Sequence, residues 1–223
     1  MRAGRMASTR EPSIATDPGR HVAKVRVRGT DATVEVEFDI DELCRREFRT
    51  APATKLDTYN ILLSMPVGVP CTESLFSAYE WRALTQAAWA VSIVAGQNGE
   101  MAATRLARPP VTVRRANILG GSWAAALGKA ARFAPYCERR IVLPRLPEGD
   151  TLLKLEASYL GVGVAIPASS LDDSSSSTPL EEVVPAAPFL PSKFTGAAWK
   201  FAESVFDQIQ MGDAPAPGAG AGD

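Results

Sequence analysis

Alternating apolar residues near the start of the chain are the feature that most narrows the choice of fold. In 22–28 valines alternate with basic residues, and in 34–38 apolar residues alternate with glutamates. A period of two is typical of strands with one buried face. The sequence therefore predicts a β-hairpin with a four-residue loop at 29–32, in which Val27 lies opposite Val34 and Arg26 opposite Glu35.

Further elements are predicted along the rest of the chain. Asp39 or Asp41 is expected to cap a short helix. The elements that follow are strand 56–65, helix 72–95, strand 111–116, helix 122–134, strand 139–146 and strand 152–166. The second half of 72–95 is apolar nearly all round, which is typical of a helix at the centre of a core. The predicted fold class is α+β, a mixed β-sheet with a buried central helix.

Composition divides the chain into five segments. We expect a disordered basic arm at 1–21, an α+β domain at 22–166 and an acidic, Ser/Pro-rich linker at 167–193. A C-terminal amphipathic docking helix at 194–211 and a disordered tail at 212–223 complete the order. On strand 152–166 the residues Gly161, Gly163 and Ala165 share one face, so a bulky group is expected to lie close over it.

One block of the sequence is strongly basic. Residues 101–146 hold nine basic residues and one acidic residue, a balance of +8 in a chain whose total is −1. The basic residues are Arg105, Arg108, Arg114, Arg115, Lys129, Arg132, Arg139, Arg140 and Arg145. Arginine binds phosphate and carboxylate oxygens two at a time, so the block predicts an anionic partner, with nucleic acid as the first candidate. Alternatively, the arginines pair with the acidic stretches on either side when the chain folds.

Few residues are suited to catalysis. His21 is the single histidine and falls in the predicted arm, which disfavours imidazole-based acid–base and triad chemistry. Cys71 precedes the predicted helix start, where the helix dipole can favour a thiolate, and is the best candidate nucleophile. The Gly120–Gly121–Ser122 turn could hold a phosphate, although a helix cap is the favoured interpretation. No metal site and no cofactor are predicted.

The C-terminal helix carries an apolar stripe that must be covered. The stripe consists of Trp199, Ala202, Val205, Phe206 and Ile209. We expect it to dock on its own domain, with docking on a partner protein as the alternative.

A binding role follows from these features. We expect a non-catalytic component of a larger bacterial assembly, located in the cytoplasm, whose segment 101–146 contacts an anionic partner. The alternative is a protein-only adaptor that binds through its C-terminal helix while the acidic segment covers the arginines. The third alternative is a small-molecule enzyme that uses Cys71 or the Gly120 loop. No stretch reaches the length of about 20 apolar residues that a membrane span needs.

Overall fold

The computed structural model describes residues 21–96, 99–168, 180–191 and 193–212. Its strands are β1 (His21–Val27), β2 (Thr30–Phe38), β3 (Pro70–Thr72), β4 (Val91–Ala95), β5 (Met101–Arg105), β6 (Val111–Leu119), β7 (Glu138–Val142), β8 (Gly163–Pro167) and β9 (Leu180–Val184). Its helices are α1 (Ile40–Arg45), α2 (Leu56–Ser64), α3 (Ala78–Gln86), α4 (Trp123–Ala130), α5 (Thr151–Leu160) and α6 (Gly196–Gly212), with short 3₁₀ turns at Glu73–Leu75 and Ala131–Phe133. The predicted α+β class with a mixed sheet is confirmed.

Two sheets organise the described residues. The larger has the order β1-β2-β6-β7-β8-β9, in which β6, β7 and β8 are mutually parallel and the other pairs are antiparallel. The smaller has the order β3-β5-β4 and is antiparallel. The parallel strands are joined through α4 and α5, as parallel connections require.

The hairpin has the predicted faces but a different register. Val25, Val27, Val34 and Val36 are all buried. However, Val34 lies opposite Ala23 rather than Val27. The loop is a two-residue turn in which Arg28 and Gly29 have φ of 49° and 75°. Positive φ at both central residues is the pattern of a type I′ turn, whose twist matches that of the strands, and this tighter turn sets the register.

Three predicted elements are wrong. Segment 56–65 is helix α2 instead of a strand, and it buries Thr58, Tyr59, Ile61 and Leu62, which is helical spacing. The single helix at 72–95 is replaced by β3, a 3₁₀ turn, α3 and β4. The strand at 152–166 is α5 followed by β8, separated by Gly161 with φ 64°, a left-handed helix end that favours glycine.

The described segment 180–191 of the predicted linker packs on the six-stranded sheet. It contains β9, which pairs with β8 at the sheet edge. Beyond β9 the backbone crosses the small face of β8, where a Cβ added at Gly163 would lie 3.0 Å from the Cβ of Ala186. The group that covers the glycines is therefore this returning segment. Residues 1–20 of the arm predicted at 1–21, and residues 213–223 of the tail predicted at 212–223, lie outside the described residues. His21, the last residue of the predicted arm, begins β1.

Two apolar clusters form the core. The larger fills the space between one face of the six-stranded sheet and helices α4, α5 and α6, with Val34, Ile118, Ile141 and Phe206 fully buried. The smaller lies between α2, α3 and the three-stranded sheet, and Trp199 of α6 enters it. Helix α6 therefore belongs to both clusters and joins the two sheets.

Candidate functional site

Three arginines of the basic block lie on the face of the large sheet opposite the core and pair with carboxylates of neighbouring strands. Arg115 on β6 is 2.9 Å from Glu138 on β7 and 3.5 Å from Glu35 on β2. Burial lowers the pKa of Arg115, but the hydrogen bond to Glu138 and the charge of Glu35 outweigh it and raise the pKa. The strand register places Glu35, Arg115 and Glu138 side by side.

The pairing continues on both sides of Arg115. Arg114 lies 2.7 Å from Glu37. Arg140 lies 2.8 Å from Glu182 of β9, within the predicted acidic linker. We call the row formed by these residues the charge ladder; it consists of Glu35, Glu37, Arg114, Arg115, Glu138, Arg140 and Glu182.

Three further basic residues hold the chain's own backbone. Arg105 is buried and donates to the carbonyls of Leu62, Met65 and Ala107, with its guanidinium over the Trp199 ring. Arg139 donates to the carbonyl of Leu160 at 2.9 Å. Arg132 donates to the carbonyl of Arg28 and the hydroxyl of Thr30.

The other basic residues of the block are exposed. Arg108, Lys129 and Arg145 form no ion pair with another described residue. The block therefore does not form one continuous cationic surface.

The apolar stripe of α6 is covered within the chain. Trp199, Ala202, Val205, Phe206 and Ile209 are all buried. The Trp199 indole donates to Glu203 at 2.9 Å, and Phe206 contacts the ring of Phe38 edge-on. The helix therefore docks on its own domain, the arrangement favoured by the sequence, and does not present this stripe to a partner.

Each position considered for catalysis or phosphate binding has a hydrogen-bonding or packing contact within the fold. Cys71 lies in β3 rather than at a helix N-terminus, and its thiol faces the Val69 carbonyl at 3.7 Å. A Cβ added at Gly120 would lie 2.4 Å from the Ala126 Cβ, so the close packing of α4 requires a glycine at this position. His21 contacts the ring of Phe38 at 5.5 Å. Among the described residues no group of His, Cys, Asp and Glu has the arrangement of a metal site.

A cleft of about 500 Å³ opens where β7 begins. β7 pairs with β6 only from Arg115 onward, so the first part of β6, 111–114, has no strand partner on that side among the described residues. The cleft is lined by Glu35, Glu37, Val111, Thr112, Val113, Arg114, Arg115, Tyr136, Glu138, Phe189, Pro191, Phe194, Ala198, Phe201 and Ala202. We call it the β6 cleft.

The hydrogen-bond pattern shows which backbone groups point into the β6 cleft. Asp39 N–H donates to the Pro110 carbonyl at 3.0 Å, so these two residues form a hydrogen-bonded pair of the β2–β6 ladder. Such pairs alternate along an antiparallel ladder. Thr112 therefore faces β2, whereas Val111 and Val113 direct their N–H and C=O groups toward the cleft.

Aromatic rings form the opposite wall of the β6 cleft. Tyr136 and Phe201 stack with their ring centroids 4.4 Å apart and their planes 13° from parallel. Arg28 donates to the Tyr136 hydroxyl at 3.1 Å. Phe189 and Phe194 come from the segment that joins β9 to α6. The cleft thus combines a strand edge, apolar rings and the Arg115 part of the charge ladder.

Sequence reasoning missed the β6 cleft because its walls come from distant parts of the chain. The one local signal was Tyr136, an aromatic residue within the basic block. The chain matches no protein-family model, no curated protein and no solved structure. In the part of the chain that the structure describes, no helix combines the length and apolar character needed to cross a membrane.

Proposed function

We propose that the protein is a non-catalytic binding component that holds an extended polypeptide segment in the β6 cleft. The single observation that carries the proposal is the strand edge at 111–114, which lines the cleft and lacks a β7 partner. An extended peptide can add to such an edge, where main-chain hydrogen bonds give affinity and side-chain pockets give specificity. Val111 and Val113 would supply these hydrogen bonds.

The charges of the β6 cleft favour a polypeptide over nucleic acid. Its lining holds the arginines Arg114 and Arg115 but also the carboxylates Glu35, Glu37 and Glu138. A phosphate backbone brought into the cleft would meet carboxylates as well as arginines, and each arginine already has a carboxylate partner. A neutral peptide backbone meets no such repulsion, and its side chains can pack on the aromatic wall.

A displayed library of random peptides tests this function on the full chain. Peptides selected for binding would be measured by fluorescence polarisation against the wild type and Ala198→Phe, which places a ring in the cleft. We expect Ala198→Phe to weaken binding by about tenfold or more, equivalent to about 1.4 kcal/mol. Ala197→Phe is the matched control, because Ala197 is the adjacent residue of α6 and does not line the cleft.

Val113→Pro gives an independent test of strand addition. It removes an N–H that faces the cleft and is not needed for the β2 ladder, so the sheet is expected to keep its pairing. We expect weaker peptide binding with a retained circular dichroism spectrum. Peptides that bind both Ala198→Phe and Val113→Pro as tightly as the wild type would overturn the proposal.

An anionic partner is the second candidate, on a smaller surface than the sequence indicated. Arg132 donates to the Arg28 carbonyl, and the exposed Lys129 precedes Arg132 by three positions in the chain. Among the described residues these three cations form no ion pair. Nucleic acid bound there would lose affinity with salt at a log–log slope of about 0.7 per phosphate on single strands.

Salt-dependent anisotropy with a labelled oligonucleotide tests this second candidate. We expect the double variant Lys129→Gln/Arg132→Gln to lower both affinity and salt slope, and Arg145→Gln, a control outside the cluster, to leave them unchanged. Absence of binding at low salt would remove nucleic acid as a partner.

A further inference from the structure

The outer strands of the two sheets differ in how well they resist pairing with another chain. β1 carries Lys24 and Arg26, and β9 carries two glutamates. β3 is only three residues long and begins with Pro70. Charge, proline and short length are features by which edge strands avoid unwanted pairing. β4 has the sequence Val-Ser-Ile-Val-Ala and contains neither a charge nor a proline.

Hydrogen bonds at both ends of β4 show which backbone groups face its free side. Gly96 N–H donates to the Glu100 carbonyl at 2.7 Å, and Leu106 N–H donates to the Ala90 carbonyl at 2.8 Å. Both bonds mark hydrogen-bonded pairs of the β4–β5 ladder, and such pairs recur at every second residue. Ser92 and Val94 therefore face β5.

The alternate residues of β4 face away from β5. These are Val91, Ile93 and Ala95, whose N–H and C=O groups point to the free edge. Val91 N–H is already taken, because it donates to the Ala87 carbonyl at 3.1 Å. Among the described residues, the N–H groups of Ile93 and Ala95 and the carbonyls of Val91, Ile93 and Ala95 are left to pair with another strand.

We propose that β4 pairs antiparallel with β4 of a second copy of this chain, with Ile93 opposite the partner's Ile93. In this register the Ile93 residues exchange both backbone hydrogen bonds, and each Ala95 N–H donates to the carbonyl of the opposite Val91. The Val91 N–H that is already occupied is not needed for these bonds. The two three-stranded sheets then form one continuous sheet.

Charge and packing favour a second copy as the occupant. Self-pairing of β1 would bring Lys24 and Arg26 close to their own copies, and like charges destabilise a strand pair. β4 has no charge to repel its copy. Ile93 packs partly on the smaller core cluster, and Val94 is 52% exposed, so pairing covers β-branched side chains on both faces.

Sedimentation equilibrium of the full chain over a range of concentrations tests the proposal. We expect the wild type to reach twice the mass of the chain. Val94→Lys adds a charge to the edge and should shift the equilibrium to monomer, whereas Val94→Thr, a β-branched and uncharged control, should keep the dimer. Ile93→Pro should also give a monomer, because it removes an edge-facing N–H that the β5 ladder does not use.

Two outcomes would overturn the proposal. One is a wild type that stays monomeric at every concentration, and the other is a dimer that persists in both Val94→Lys and Ile93→Pro. Thermal unfolding of each variant shows whether a mass change reflects loss of fold. The β6 cleft variant Ala198→Phe should leave the mass unchanged, so failure of this proposal and failure of peptide binding are distinguishable.

Discussion

Arg46 donates from both terminal nitrogens to the two carboxylate oxygens of Glu203, at 2.7 and 2.8 Å. The side chains are only 4% and 7% exposed. The same guanidinium also contacts Glu42 and lies over the Trp89 ring. Buried charges are tolerated when they are paired and hydrogen-bonded, and this group meets both conditions. The pair fixes α6 against the end of α1.

Loss of the Arg46 guanidinium should destabilise the fold strongly. Arg46→Met leaves Glu42 and Glu203 buried without their shared cation, and breaking a buried pair in this way costs about 3–5 kcal/mol. Urea denaturation measures the change in the free energy of unfolding. Arg49→Met is the control, since Arg49 and its partner Glu47 are 80% and 74% exposed. A similar small loss in both variants would contradict the importance of the buried pair.

Acid should weaken the same network through Glu42. Burial raises the pKa of this carboxyl, but hydrogen bonds and charge from Arg45 and Arg46 outweigh it, and the pKa lies below its ordinary value of 4.5. A depressed pKa adds stability that is fully present above the unfolded-state pKa and is lost as the pH falls through the folded-state pKa. We expect urea midpoints to decline below about pH 4.5, and the decline to be shallower in Glu42→Gln. Equal acid slopes in the two proteins would refute this assignment.

The thiols should differ in reactivity. Burial raises the pKa of Cys137 to about 12, whereas Cys44 is exposed. The thiolate is the reactive form, so iodoacetamide should modify Cys44 in the native protein and spare Cys137 until the protein unfolds. Peptide mass mapping after timed labelling gives both rates, and rapid labelling of Cys137 in the native protein would be inconsistent with its burial.

The charge ladder predicts unequal effects of charge reversal within the basic block. Arg115→Glu places a third carboxylate beside Glu35 and Glu138, and we expect a loss of about 1–3 kcal/mol. Lys129→Glu removes no ion pair and should stay within about 0.5 kcal/mol of the wild type. Thermal unfolding compares the two. A test of anion binding should therefore use residues outside the charge ladder, such as Lys129 and Arg132, and leave Arg115 unchanged.

Local patterns in the sequence predicted the elements that depend on neighbouring residues. The period of two gave the correct faces of β1 and β2, and the predicted cap of α1 is confirmed because Asp39 accepts from Glu42 N–H at 2.9 Å. Alternation misled the prediction at 56–65, since Tyr59 and Ile61 fit a strand face as well as a helix face. The capping box at Ser77 and Glu80, which begins α3, was the unused local signal in 72–95.

Features that depend on distant residues could not be predicted in the same way. The hairpin register depends on the two-residue turn at Arg28 and Gly29. The alternation of apolar and charged residues in the two strands does not determine the length of this turn. The β6 cleft exists because β7 begins opposite Arg115 while Phe189 returns from beyond β9. The sequence offered pairing of the arginines with the acidic stretches as an alternative, and the Arg140–Glu182 contact is of this kind. It could not predict which arginine pairs with which carboxylate.

The contact between Arg46 and Glu203 has a consequence for the order of folding during synthesis. Its partners are 157 positions apart in the chain, so the N-terminal residues leave the ribosome long before Glu203 is translated. Contacts between residues so far apart in the chain form late, and they reduce the rate of folding. Until α6 is translated, Glu42 and Arg46 lack Glu203, the third residue of their buried charged group, and the smaller core cluster lacks Trp199. The nascent chain is thus expected to need protection from aggregation until α6 is complete.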